Sequence, residues 1–299
     1  MTVPACATVV PVALLSTETS AGFADRFVVA RKAFGPLVLG VDPSGDILRA
    51  WGVGDDPDGL DRFIDVVVEV AIGAVGVVKL QSAFYERFGW RGIRSLARLA
   101  AACRAGQVLV LLDAKRGDVG STNDAYAEAY LGPTAGIEVD ALTVTPYLGF
   151  AALRPFFDRA YEHGAGVFVV TRSSNPEGRA LQTARGAHGL SVEQQLVSDL
   201  AVENSRVATG GLGPFGSVFC ANHGPPVDMD LVGMGGLFLC PGVGAQGASP
   251  ADVAACFASC PDRVLPSASR SLLAEGPDPS RLRGALSTLG GELQEALGL

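Results

Sequence analysis

Histidine is scarce in this chain, and paired cysteine is missing. The three histidines, His163, His188 and His223, lie far apart, and the six cysteines (Cys6, Cys103, Cys220, Cys240, Cys256 and Cys260) show no C-x-x-C spacing. Structural zinc sites draw on clustered Cys and His ligands, so no metal site is expected. Cys256 and Cys260, four apart on an expected helix, can share a face, but no histidine joins them. Unpaired cysteines inside apolar runs, as at Cys220 and Cys240, point to reduced, buried thiols and a cytoplasmic protein. Basic charge is in deficit: the formal net charge is −8 and the pI about 4.9. That excludes the broad basic face a nucleic-acid binder needs, but a small anionic ligand requires only a few local cations and helix amino termini. No apolar run reaches the ~18 residues of a membrane span. The apolar first twenty residues have no basic leader segment and carry Pro4 and Pro11. They are expected to belong to a flexible extension over residues 1–22, not to a signal peptide.

What the chain does have is a repeating alternation. At 299 residues and 48% hydrophobic content it can bury one large core. From Phe34 onward short apolar runs alternate with longer Ala- and Leu-rich stretches, and eight strands are expected: Pro36–Asp42, Gly76–Leu80, Val108–Asp113, Ala141–Val144, Gly166–Thr171, Gly216–Cys220, Gly236–Cys240 and Val264–Pro266. Eight such units make a single (β/α)8 TIM barrel over residues 23–299 the leading fold. A doubly wound open sheet would ordinarily carry a Gly-rich turn after its first strand, whereas here that strand ends Gly40-Val-Asp-Pro43.

One of these strands runs straight into charge. Val108 to Leu112 is apolar, and the chain continues Asp113-Ala-Lys-Arg-Gly-Asp118. Side chains two apart on a strand project to the same side, so Asp113 and Lys115 can meet at its carboxyl end, with Gly117 and Gly120 turning the chain away. A surface salt bridge would look the same in isolation, but the carboxyl end of a buried parallel strand is where barrels place their chemistry.

The other strand ends form a coherent set. Asp42 can cap the next segment or accept from a sugar hydroxyl, and Lys79 follows two apolar valines as either a snorkelling or a functional lysine. Thr122 sits where a helix cap is expected, near Ser121 to Asp124. The stretch Thr143 to Gly149 reads as pocket wall. The turn Thr171-Arg-Ser-Ser-Asn-Pro-Glu-Gly178 offers hydroxyls and amides. A polar, mobile loop is expected around Arg179 to His188, before a helix over Val192 to Val207. Gly242 and Gly244, in Pro241-Gly-Val-Gly-Ala-Gln-Gly247, together with Arg270 on the next strand end, fit the phosphate cradle that barrels build from their last two loops.

The segment Asp113-Ala-Lys-Arg-Gly-Asp118, followed by Thr122, resembles the active-site motif of the orotidine 5'-phosphate decarboxylase family. The likeness extends from about Phe23 to the region of Ala274 and is nearest the longer bacterial branch of the family. It implies a cofactor-independent homodimer of pyrimidine biosynthesis that converts orotidine 5'-phosphate to UMP and CO2. Lys115 would protonate the C6 carbanion, with Asp113, Asp118 and Lys79 completing a charge array. Asp42 would bind the ribose, Ser174 the base, Gln246 both phosphate and pyrimidine, and Arg270 the phosphate. Asp118 and Thr122 would reach into the partner's site. Two departures stand out: Leu80 replaces a usual proline, and Cys220-Ala-Asn-His-Gly224 replaces Gly-Ala-Thr. The second keeps open a paralogue acting on a modified pyrimidine nucleotide, with His223 as a tempting but unneeded base. A metal-dependent sugar-phosphate aldolase or decarboxylase is a further alternative, against which Arg116-Gly117 and the Gln246 loop weigh. A nucleotide-binding protein with a decayed site is opposed by intact Asp113, Lys115 and Asp118.

Overall fold

A computed structural model of the protein describes residues 21–208, 210–244 and 247–299. Eight parallel strands close into a barrel in sequence order: β1 (Val38–Val41), β2 (Val77–Gln81), β3 (Leu109–Arg116), β4 (Ala141–Val144), β5 (Gly166–Arg172), β6 (Phe215–Phe219), β7 (Phe238–Pro241) and β8 (Val264–Ala268). Each expected strand is present. The largest difference is at β3, which runs three residues past Asp113 to Arg116 because its pairing with β4 resumes after an irregularity.

The strands read as continuous apolar runs because both of their faces are buried, one residue inward and the next outward. Val38, Val77, Leu111, Ala141, Phe168, Val218, Leu239 and Leu265 pack inside the barrel. Their neighbours Leu39, Val78, Leu112 and Leu142 pack outward against the helices. Leu80, where a proline was usual, is fully buried in β2 and pairs with Leu112, a central-strand position that keeps its backbone N–H.

A helix that the alternation did not reveal, Phe23–Phe34, closes the amino-terminal end of the barrel. Phe23, Phe27 and Ala30, spaced for one helical face, pack into the inner cluster. Phe23 meets Phe168 edge to face at 5.8 Å. The absence of a side chain at Gly166 makes this possible, since a Cβ there would stand 2.8 Å from the Phe23 ring. Arg26 pins the helix by pairing with buried Asp140 and donating to the Gly164 carbonyl at 3.1 Å. The extension expected over residues 1–22 lies almost wholly outside the described residues.

The helix expected over Val192 to Val207 has those bounds and starts at a capping box, Ser191 with Gln194. Within the stretch Arg179 to His188 lies a short helix, Arg179–Gln182, followed by a bridge between Arg185 and Ser191. Cys256 ends the helix Pro250–Cys256 and Cys260 lies beyond it in the segment leading to β8, so the two do not share the helix face that their spacing would have allowed. Cys103, Cys220, Cys240, Cys256 and Cys260 are buried and unpaired, and Cys6 lies outside the described residues. Among the described residues no helix is long and apolar enough to cross a membrane.

Candidate active site

The carboxyl ends of β1, β2 and β3 bring four charges to the mouth of the barrel. Lys79 Nζ lies 3.4 Å from Asp42 Oδ1 and 3.5 Å from Asp113 Oδ2. Lys115 Nζ donates to Asp113 Oδ1 at 2.7 Å. Two further groups complete Asp113: Gln81 Nε2 donates to Oδ2 at 3.1 Å, and Thr143 Oγ1 donates to Oδ1 at 2.8 Å. Neither partner was picked out from the sequence. Gln81 had a readable signal, two residues beyond Lys79 on the same face of β2, whereas Thr143 read only as part of an apolar strand and of the pocket wall that follows it.

The electrostatics follow from this packing. Burial penalises the Asp113 carboxylate, but the ammonium groups of Lys79 and Lys115 and the hydrogen bonds from Lys115 and Thr143 outweigh it, holding the pKa down at about 2. Burial likewise works against the Lys79 ammonium, and Asp42 and Asp113 overcome it, so its pKa is raised above the ordinary lysine value. Lys79 is almost fully buried, whereas the Lys115 side chain is 45% exposed and faces the open cleft. Lys79 is therefore a fixed internal charge, and Lys115 is the one presented to a ligand.

The remaining residues of the motif sit elsewhere. Gly117 lies against β4's exit, where a Cβ would be 2.5 Å from the Thr145 carbonyl oxygen. Asn123 clamps the turn by donating to the backbone carbonyls of Asp118 at 2.6 Å and Ala152 at 2.7 Å. Asp118 accepts from the Val119 amide at 2.8 Å, and among the described residues no ion pair joins it to Lys115. The ammonium is thus not flanked by Asp113 and Asp118 within one chain. Thr122 is exposed and does not cap: the helix Ser121–Tyr130 starts from Gly120 with no side-chain cap. Among the described residues that line the cleft, none comes from the stretch Thr143 to Gly149. Thr143 is buried beneath the cleft, and Tyr147 and Leu148 project outward at 76% and 53% exposure.

The opposite wall comes from β5, β7 and β8. The cleft has a cavity volume of about 190 Å³ and is lined on that side by Ser173, Ser174, Asn175, Gly242, Ser267 and Arg270. Gly242, at φ +90°, turns the chain along the wall. Gly244 was expected to offer its amide to a phosphate, but that N–H donates to the Ala248 carbonyl at 2.8 Å, tied up by the bridge that closes the loop. Gln246 lies outside the described residues.

The unusual segment after β6 braces the serine turn. Asn222 Nδ2 donates to the Ser174 carbonyl at 2.8 Å, and His223 Nε2 lies 3.0 Å from the Ser173 carbonyl. A carbonyl only accepts, so Nε2 carries the hydrogen and is not available as a base. Arg172, also missed in the sequence, anchors the turn from behind through a bidentate contact with buried Glu193 at 2.9 and 3.0 Å and a bond to the Gly224 carbonyl at 3.1 Å.

A parallel eight-stranded barrel with an ammonium–carboxylate array at one side of its mouth and a serine turn with an arginine at the other defines a TIM-barrel enzyme whose site lies at the carboxyl ends of its strands. Residues 36–280 match the orotidine 5'-phosphate decarboxylase / HUMPS family. A protein from Salinispora arenicola named orotidine 5'-phosphate decarboxylase is 48% identical over 263 residues, 88% of this chain and 94% of that relative. One of the same name from Streptomyces coelicolor is 45% identical over 275 residues, 92% of this chain and 98% of the relative. The crystal structure of a protein from Streptomyces avermitilis agrees with a TM-score of 0.89 at 43% identity, covering 95% of this chain and 100% of that one. The chain belongs to the orotidine 5'-phosphate decarboxylase / HUMPS family.

A carboxylate whose pKa is depressed in the folded state adds stability above its ordinary pKa and loses it as pH falls through the folded value. For Asp113 the window runs from 3.8 down to about 2. Asp113→Asn is therefore expected to lower unfolding free energy at pH 7 by on the order of 2 kcal/mol. The gap from wild type should close as pH falls through that window, measured by urea denaturation. A gap that does not change with pH would show that Asp113 is not held ionised by its neighbours.

Proposed function

We propose that the protein decarboxylates orotidine 5'-phosphate to UMP and CO2, completing pyrimidine nucleotide synthesis. The observation that carries this reading is the Lys115 ammonium, held 2.7 Å from Asp113 and facing the cleft. Breaking the bond between C6 and the carboxylate releases CO2 and leaves the electron pair on C6, in the plane of the ring, where the π system cannot take it up. A fixed ammonium beside C6 stabilises that pair as it develops and then transfers a proton to it. Lys115 is left as the amine and recovers its proton from solvent. No step calls for a cofactor.

The other roles follow the resemblance. Asp42 takes the ribose hydroxyls, Ser174 the base, and Gly242 and Arg270 the phosphate, with Gln246 between phosphate and base. Lys79 and Asp113 hold the array rigid before substrate arrives. The loop after β6, which had left a modified nucleotide open, is occupied with bracing the turn at Ser173 and Ser174. That supports the unmodified substrate.

The active unit in this reading is a homodimer, and Asp118 and Thr122 act in the neighbouring subunit's site. In support, both lie outside their own chain's cleft. Exposed Val119, Tyr147 and Leu148 cluster on the two adjoining loops that follow β3 and β4, as a covered surface would require. The unpaired cysteines fit a reducing cytoplasm.

Loss of orotidine 5'-phosphate absorbance by the purified protein, with a chelator present, is the direct assay. Lys115→Ala should lower kcat by about a thousandfold or more. Near-normal turnover by this variant would rule out the proposed proton donor. Mixing inactive Lys115→Ala and Asp118→Ala proteins should restore part of the activity through hybrid sites. No recovery, with subunit exchange demonstrated by mass spectrometry, would remove the shared site.

A further inference from the structure

Thr143 stands at a break in the sheet. The β3–β4 ladder pairs Leu112 with Leu142 and next pairs Arg116 with Val144. Asp113, Ala114 and Lys115 thus face the single residue Thr143, a bulge of the kind that re-aims side chains beside functional sites. The bulge puts Lys115 at φ +47°, a left-handed conformation that a lysine adopts only where its surroundings enforce it. It also deprives the Lys115 amide of a regular ladder partner. The Thr143 hydroxyl supplies one: Lys115 N donates to Oγ1 at 3.0 Å.

The same oxygen donates to Asp113 Oδ1 at 2.8 Å. Its two partners fix the orientation of its hydrogen, because an amide N–H can only donate and an ionised carboxylate can only accept. Thr143 is 0% exposed, so neither bond competes with water. One buried hydroxyl therefore ties the strained backbone of Lys115 to the carboxylate that its ammonium grips.

We infer that Thr143 is a positioning residue for the reaction, fixing Lys115 and Asp113 relative to each other without touching substrate. The inference rests on the decarboxylase reading above. Valine has the same shape and the same preference for strands but can neither accept nor donate. Losing a hydrogen bond to a charged group is worth about 10- to 100-fold in rate when it acts on the transition state.

The test compares wild type with Thr143→Val, Thr143→Ala and Thr143→Ser by steady-state kinetics on orotidine 5'-phosphate, with UMP binding measured by calorimetry. The expected result is a kcat about 10- to 100-fold lower in the valine and alanine variants, with KM and UMP affinity within about threefold of wild type. The serine variant, which keeps the hydroxyl, should stay within about threefold of wild type in kcat. A valine variant with wild-type kcat would overturn the role of Thr143 while leaving the decarboxylase reading intact. So would a serine variant as impaired as alanine, since the methyl rather than the hydroxyl would then matter. Wild-type protein that leaves orotidine 5'-phosphate unchanged would overturn the decarboxylase reading, and this role with it.

Discussion

The carboxylate of Asp113 is shared by two ammonium groups, and the arrangement of the barrel mouth follows from that contact. One oxygen takes Lys115 and Thr143, and the other takes Gln81 and faces Lys79. Removing any one charge from such a cluster leaves its partners desolvated and uncompensated, which costs more than the pair contributes when intact. The array is therefore held together as a unit. Its geometry is fixed by strand register, with Gln81 opposite Asp113 and Lys79 opposite Leu111, before any ligand arrives. A charge already aligned toward a developing carbanion need not reorganise as the reaction proceeds.

The rest of the molecule keeps that mouth rigid and shaped. The helix Phe23–Phe34 fills the far end of the barrel with Phe23 and Phe27, so the strands converge on a solid core. On the opposite wall, Arg172 with Glu193 and the segment after β6 hold a turn that lines the cleft across from the charges. The loops after β3 and β4 instead lean on each other through Gly117 and Asn123, which hold the turn that bears Asp118. One wall thus supports the chemistry within the chain, and the other turns outward.

Much of this was legible in the sequence, for identifiable reasons. An apolar run ending in Asp113-Ala-Lys115 violates the expectation that a buried strand stays apolar, and period-two alternation put both side chains on one side. The eight strands were readable because parallel strands buried on both faces are uninterrupted apolar runs. Hydrogen bonding was not readable. Thr143 resembles its apolar neighbours until the bulge places it opposite three residues, and the Gly244 amide is taken by a carbonyl that only the closed loop brings near. The plug helix stands outside the strand–helix alternation that begins at Phe34, although the apolar spacing of Phe23, Phe27 and Ala30 marks it in the sequence.

The central claim is that Lys115 is delivered to the reacting carbon by a prearranged set of charges. A crystal structure of the protein with UMP bound tests it most directly. The account predicts Lys115 Nζ within about 3.2 Å of pyrimidine C6, with Lys79 and Asp113 unmoved from the positions seen without ligand. A nucleotide seated with C6 far from Lys115, or an array that forms only when the nucleotide binds, would contradict it.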